Sequence, residues 1–139
     1  MSKIIGTWRL QSFELQLSNE EIIFPFGKEA KGLLIYEPNG FMSGMISGEG
    51  RPNVSKPATI GIPENERAAI ANKFIAYAGR YIIERNNIIH KIEVSFIPNL
   101  MGESSHAGNF QVEDNKLLIS SDISEKGKTA SVITKWIKM

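Results

Sequence analysis

Two histidines, one carboxylate and two tyrosines are the side chains on which any chemistry of this chain would turn. His90 and His106 are its only histidines. An imidazole titrates near neutrality and presents one donor and one acceptor, so a pair on one interior suits acid–base work or the orientation of a polar ligand. Each alone has the plainer reading of a hydrogen-bonded core residue. Two histidines and a carboxylate could also hold a metal. No local spacing supports that, such as two His one helical turn apart, so no metal is expected. No Ser-His-Asp signature, phosphate loop or nucleotide fingerprint occurs, and no cofactor is implied. Arg51 could meet an acidic ligand group, or simply be solvated.

Strands must position these residues. A turn at Asn86-Asn87 joins 75–84 to 88–96 and would pair Ile83 with His90, Tyr81 with Ile92, Gly79 with Val94 and Tyr77 with Phe96. All eight then share one face, while Arg80, Glu84, Lys91 and Glu93 point the other way. A turn at Asp114-Asn115 sets Val112 opposite Leu117 and Phe110 opposite Ile119, with Gly108 and His106 further along that face. Glu14 shares the parity of Trp8, Leu10 and Ser12, which would turn it inward against His90, His106, Tyr77 or Tyr81. Phe13, Leu15 and Leu17 have the opposite parity, so a bulge would turn Glu14 outward, and both faces stay open. Around Pro38-Asn39-Gly40 the register is open too. A three-residue loop puts Leu33 and Ile35 on the face of Phe41, and a two- or four-residue loop puts Leu34 and Tyr36 there.

The other elements follow from pattern. Residues 7–17 read as a first strand and 31–37 and 41–47 as a hairpin, and a turn at Glu125-Lys126-Gly127-Lys128 leads into the last strand, which holds Val132-Ile133-Thr134-Lys135-Trp136-Ile137. Residues 48–62 form the longest irregular stretch, rich in Gly and Pro, and are expected to be mobile and to flank a cavity mouth. Residues 63–74 read as the one helix, with Pro63 at its start and Ile70 and Phe74 as its buried stripe. Strands at short spacing, each passed on by a turn, indicate an all-β, up-and-down antiparallel barrel of about eight strands over 1–139. Pairing of the Trp8 strand with the Trp136 strand would close it and leave no edge.

The totals set bounds. With 139 residues the chain is one domain, and a net charge of +1 gives no reason to expect nucleic acid or a membrane as partner. There is no cysteine, hence no disulfide or thiolate. The opening residues have too short an apolar run for a signal peptide, and the expected location is cytoplasmic.

Gly6-Thr7-Trp8-Arg9-Leu10 resembles the start of a lipocalin-type barrel. Phe24-Pro25-Phe26-Gly27, Gly32-Leu33-Leu34-Ile35-Tyr36, Pro38-Asn39-Gly40-Phe41-Met42-Ser43, Ala76-Tyr77-Ala78-Gly79-Arg80-Tyr81, Phe96-Ile97-Pro98-Asn99-Leu100 and the closing Trp136 are similar to the short bacterial and fungal lipocalin-like domains, calycin-type barrels. The resemblance implies a cavity at one end. It departs from lipocalins proper in having Lys135, not an Arg, beside Trp136. Related sequences also tend to place a capping residue where Ile62 stands.

The resulting expectation is a barrel that binds a small, largely apolar molecule. Its candidate ligand-binding residues are His90, His106, Tyr77, Tyr81, Phe96, Phe110, Glu14 and Ser43. The small residues Ser12, Ser43, Gly79, Gly108 and Ala130 are expected to leave it room. The alternatives are an isomerase or cyclase using a His or Glu14 as acid or base, and a structural or interaction domain with a filled barrel.

Overall fold

The computed structural model describes residues 3–56, 60–101 and 105–139, side chains at 105–107 and 125 excepted. The strands are β1 (Gly6–Leu17), β2 (Ile22–Ile23), β3 (Lys31–Tyr36), β4 (Phe41–Ser47), β5 (Phe74–Glu84), β6 (Asn87–Ser95), β7 (Ser105–Glu113), β8 (Lys116–Glu125) and β9 (Lys128–Lys138), with one helix, α1 (Glu64–Ala71), between β4 and β5. Every pairing is antiparallel. Eight strands run in the order β1-β3-β4-β5-β6-β7-β8-β9, and β9 returns to β1 through a ladder from Trp8–Lys138 to Leu17–Ala130. The barrel is closed by the two Trp-bearing strands, so no long edge is left unpaired. The extra strand β2 covers the far end of β1 at Leu15 and Gln16, where β1 has already parted from β3.

Alternating up and down sends three short turns to one end of the barrel, and the long connections, with the short turn at 126–127, to the other. Turns at 38–40, 85–86 and 114–115 share the first end. It is plugged by Trp8 and Ile4, both fully buried, with the indole N–H donating to the Ile4 carbonyl at 2.8 Å. Lys138, opposite Trp8 on β9, lies with Nζ 5.6 Å from the indole. It supplies the cation that the neighbouring Lys135 does not. The described residues of the connections, 18–30, 48–56, 60–73 and 96–101, belong to the second end. No helix among the described residues is long and apolar enough to cross a membrane.

Three irregularities correct the simple alternation. Between Leu10 and Ser12 the β1–β9 register shifts, so Phe13 turns inward and Ser12 and Glu14 turn outward. A second shift, between Ala78 and Gly79, places the extra residue Glu93 on β6. Beyond it Ser95 faces Tyr77, and Val94 and Phe96 point outward, 66% and 40% exposed. Gly79 is needed there, because a Cβ on it would stand 2.2 Å from the Lys91 carbonyl oxygen. It marks a close approach of backbones rather than spare room. The third correction is a turn. Arg85, with φ of 58°, makes the two-residue loop Arg85-Asn86, so Ile83 pairs with Ile88, and Tyr81 with His90. This differs from the expected register by two residues, which leaves every face unchanged.

The 38–40 hairpin takes the three-residue loop, with Tyr36 opposite Met42 and Leu34 opposite Gly44. Leu33, Ile35, Phe41, Ser43 and Met45 therefore lie on the outer face. The helix is shorter than expected and has no buried residue; Phe74 belongs to β5. Its C-terminus has no basic residue of its own, and Arg51 takes that place. Nε and Nη2 of Arg51 donate to the Ile70 carbonyl at 3.2 and 2.5 Å, Nη1 donates to Ser47 Oγ, and the guanidinium lies 4.7 Å from the Phe74 ring. Arg51 is thus held by the fold rather than aimed at a ligand.

Candidate functional site

The barrel encloses a cavity of about 240 Å³. Its wall is mostly apolar: Phe13, Leu34, Ile75, Ile88, Val132 and Trp136 are among the lining side chains. Room comes from Gly44 on β4 and Gly108 on β7, which line it without side chains. Among the described residues its polar groups are few, namely Tyr77, His90, Ser121 and Thr134. Thr134 Oγ1 accepts the Trp136 indole N–H at 2.8 Å.

His90, only 3% exposed, stands between two phenols. Its Nε2 lies 2.7 Å from the Tyr36 hydroxyl and its Nδ1 lies 3.2 Å from the Tyr77 hydroxyl. The rings of Tyr36 and His90 stack at 5.7 Å and 27°, and Tyr81 meets Tyr36 edge-on at 4.9 Å. Burial pushes the Tyr36 phenol well above its ordinary value, with Tyr77 and Tyr81 adding to the rise, and burial pushes Tyr77 up to about 12. Both hydroxyls keep their protons at any ordinary pH.

Tyr36 is 1% exposed, and its hydroxyl meets no polar atom but Nε2 among the described residues. With Tyr36 donating to Nε2, a neutral imidazole carries its proton on Nδ1, on the side of the Tyr77 oxygen. The Tyr36 phenol stands behind the ring and does not line the cavity.

The other candidate residues separate. Tyr81 donates to the Glu37 carbonyl at 2.6 Å at the plugged end and does not line the cavity. Phe110 packs against the core beside it. Phe96 and Ser43 are on the outer face, for the reasons of bulge and register given above. Glu14 is also outside the barrel, yet only 6% exposed. It accepts from Ser12 Oγ at 2.6 Å and pairs with Lys135 Nζ at 3.1 Å. Burial would raise its carboxyl, but the Ser12 hydrogen bond and Lys135 outweigh it and hold the group below the usual carboxylate range. The side chain of His106 lies outside the described residues; its backbone pairs opposite His90.

Sequence reasoning missed Tyr36 and Phe13. The signal for Phe13 was the apolar run Phe13, Leu15, Leu17; that for Tyr36 was the three-residue option at Pro38-Asn39-Gly40. No group of three or more His, Asp or Glu side chains stands close enough to hold a metal among the described residues.

A closed eight-stranded barrel with an apolar cavity in its interior has the architecture of a lipocalin-like protein. The model of the lipocalin-like domain family matches residues 5–139, and the chain belongs to that family. No curated protein matches it. It is similar to the solved structure of an uncharacterized protein from Bacteroides eggerthii DSM 20697, at 8% identity and a TM-score of 0.48, covering 99% of this chain and 100% of that one.

Proposed function

We propose that the barrel binds one small, largely apolar molecule, with a single polar group directed at His90 and Tyr77. The observation that carries this is the contrast within one cavity. Its wall is hydrocarbon and aromatic, and a buried imidazole and a phenol within hydrogen-bond reach of each other sit on one side of it. Apolar contact supplies affinity, and the two polar groups orient the ligand. The volume is at or below the small end of ligand pockets, ~300 Å³ and upward, which favours a molecule of one or two rings.

The test is a pair of fluorescence titrations, with 2-naphthol and 2-methylnaphthalene, on the parent and on His90→Phe. The parent should bind both probes at one site. The variant should lose roughly fivefold or more of its affinity for 2-naphthol, about 1 kcal/mol for one hydrogen bond, and keep its affinity for the hydrocarbon. A parent that binds neither probe would remove the reading. A variant that binds 2-naphthol as the parent does would remove the role of His90.

A further inference from the structure

The β5–β6 bulge and the 38–40 register give the outer face of β3, β4, β5 and β6 a composition unusual for a barrel exterior. Val94 is 66% exposed, Met45 46%, Leu33 43%, Phe41 42% and Phe96 40%. They lie in three rows that cross the four strands in the same order. The first is Glu37, Phe41, Arg80 and Lys91. The second is Ile35, Ser43, Ala78 and Val94. The third is Leu33, Met45, Ala76 and Phe96.

We infer that this face is the surface on which a second copy of the chain docks, about a two-fold axis parallel to the strands and midway between β4 and β5. Such an axis lays β3 of one copy over β6 of the other, and β4 over β5. Each row then meets its own reverse, as an isologous interface requires. Glu37 faces Lys91 of the second copy, and Phe41 faces Arg80, a guanidinium that already lies 5.1 Å from the Phe41 ring within its own chain. Leu33 meets Phe96, Ile35 meets Val94, and the long Met45 meets the small Ala76. Packed sheets cross at about 30°, which keeps these pairs within side-chain reach near the centre.

Area and charge agree with a second copy. Four strands at ~4.8 Å spacing over about 20 Å of length project roughly 400 Å². That is about half of the ~800 Å² each partner gives to a standard interface, and it lies where the apolar centre of an interface belongs. Glu37 in the first row and Glu93 at the β6 bulge balance Arg80 and Lys91, and Arg80 stands 3.6 Å from Glu93. A neutral face has no attraction for an anionic membrane, whereas opposite charges at its two edges complement a rotated copy.

Sedimentation velocity on the full chain at micromolar concentration tests this. The parent should sediment as a dimer. Val94→Lys, a change at an exposed position, should sediment as a monomer with the parent's circular dichroism and melting temperature. Glu37→Lys and Lys91→Glu should each weaken association roughly tenfold, and the two together should restore it. A monomeric parent, whether or not it co-sediments with phosphatidylglycerol vesicles, would overturn the proposal. So would a Val94→Lys variant that stays dimeric, or single charge changes that the double change does not rescue.

Discussion

The hydroxyl of Tyr36 and Nε2 of His90, 54 positions apart in sequence, stand 2.7 Å apart inside the barrel. The phenol is sealed behind the imidazole, and Nε2 is its one hydrogen-bond partner among the described residues.

The dependence runs both ways. His90→Phe strands the Tyr36 O–H in a dry site, which costs about 1–3 kcal/mol. Adding Tyr36→Phe removes the stranded group. The double variant should therefore have a higher urea midpoint than His90→Phe alone. Equal midpoints would mean that Tyr36 finds another acceptor.

The tyrosines should ionise in order. Tyr81 is raised by burial and then by Glu37, while burial pushes Tyr77 up to about 12 and Tyr36 well above its ordinary value. An alkaline titration of tyrosinate absorbance should show Tyr81 ionising first, and Tyr81→Phe should remove that first step. A raised folded value means stability that is complete below the ordinary tyrosine value, ~10, and is lost as pH rises through about 12 for Tyr77. A protein whose three tyrosines all ionise together near the ordinary value would contradict the burial of Tyr36 and Tyr77.

Gly79→Ala should be among the costliest single changes outside the cavity. The added Cβ meets the Lys91 carbonyl and the Glu93 amide, both backbone, so the bulge itself must open. A loss of about 2–4 kcal/mol is expected. Gly40→Ala, at φ of 91° with nothing within 4 Å, should lose only about 1 kcal/mol. Chemical denaturation of the two variants side by side makes the comparison. Equal losses would show that backbone conformation, not the close approach, decides both.

Glu14 should show in the acid limb. Its folded value is lowered, so its contribution is present above the unfolded value, ~4.3, and is lost as pH falls through the folded one. Lys135 keeps 43% of its side chain in solvent. Glu14→Gln should accordingly cost about 1–2 kcal/mol at neutral pH, less than the ~3–5 of breaking a fully buried pair. The gap between parent and variant should close as the pH drops below about 4. A gap independent of pH would assign the effect to packing.

The sequence by itself determined the barrel, its closing strands, and the inward face of β5 and β6 up to the bulge. Hydrophobic alternation has a period of two, and turn residues punctuate it, so strand existence and face are written locally. Even the misplaced turn at 85–86 preserved the faces of Tyr81 and His90, because the slip was two residues. What only the tertiary structure decided was where alternation breaks. A bulge is one extra residue, and nothing in Gln11 or Glu93 differs from an ordinary strand residue. Its position is set by how strands close around the barrel, and it reverses every face beyond it. That moved Phe13 in, and Phe96, Val94 and Glu14 out. It likewise took the fold to bring Tyr36 behind His90, since the two lie on strands that are not neighbours and meet only across the interior.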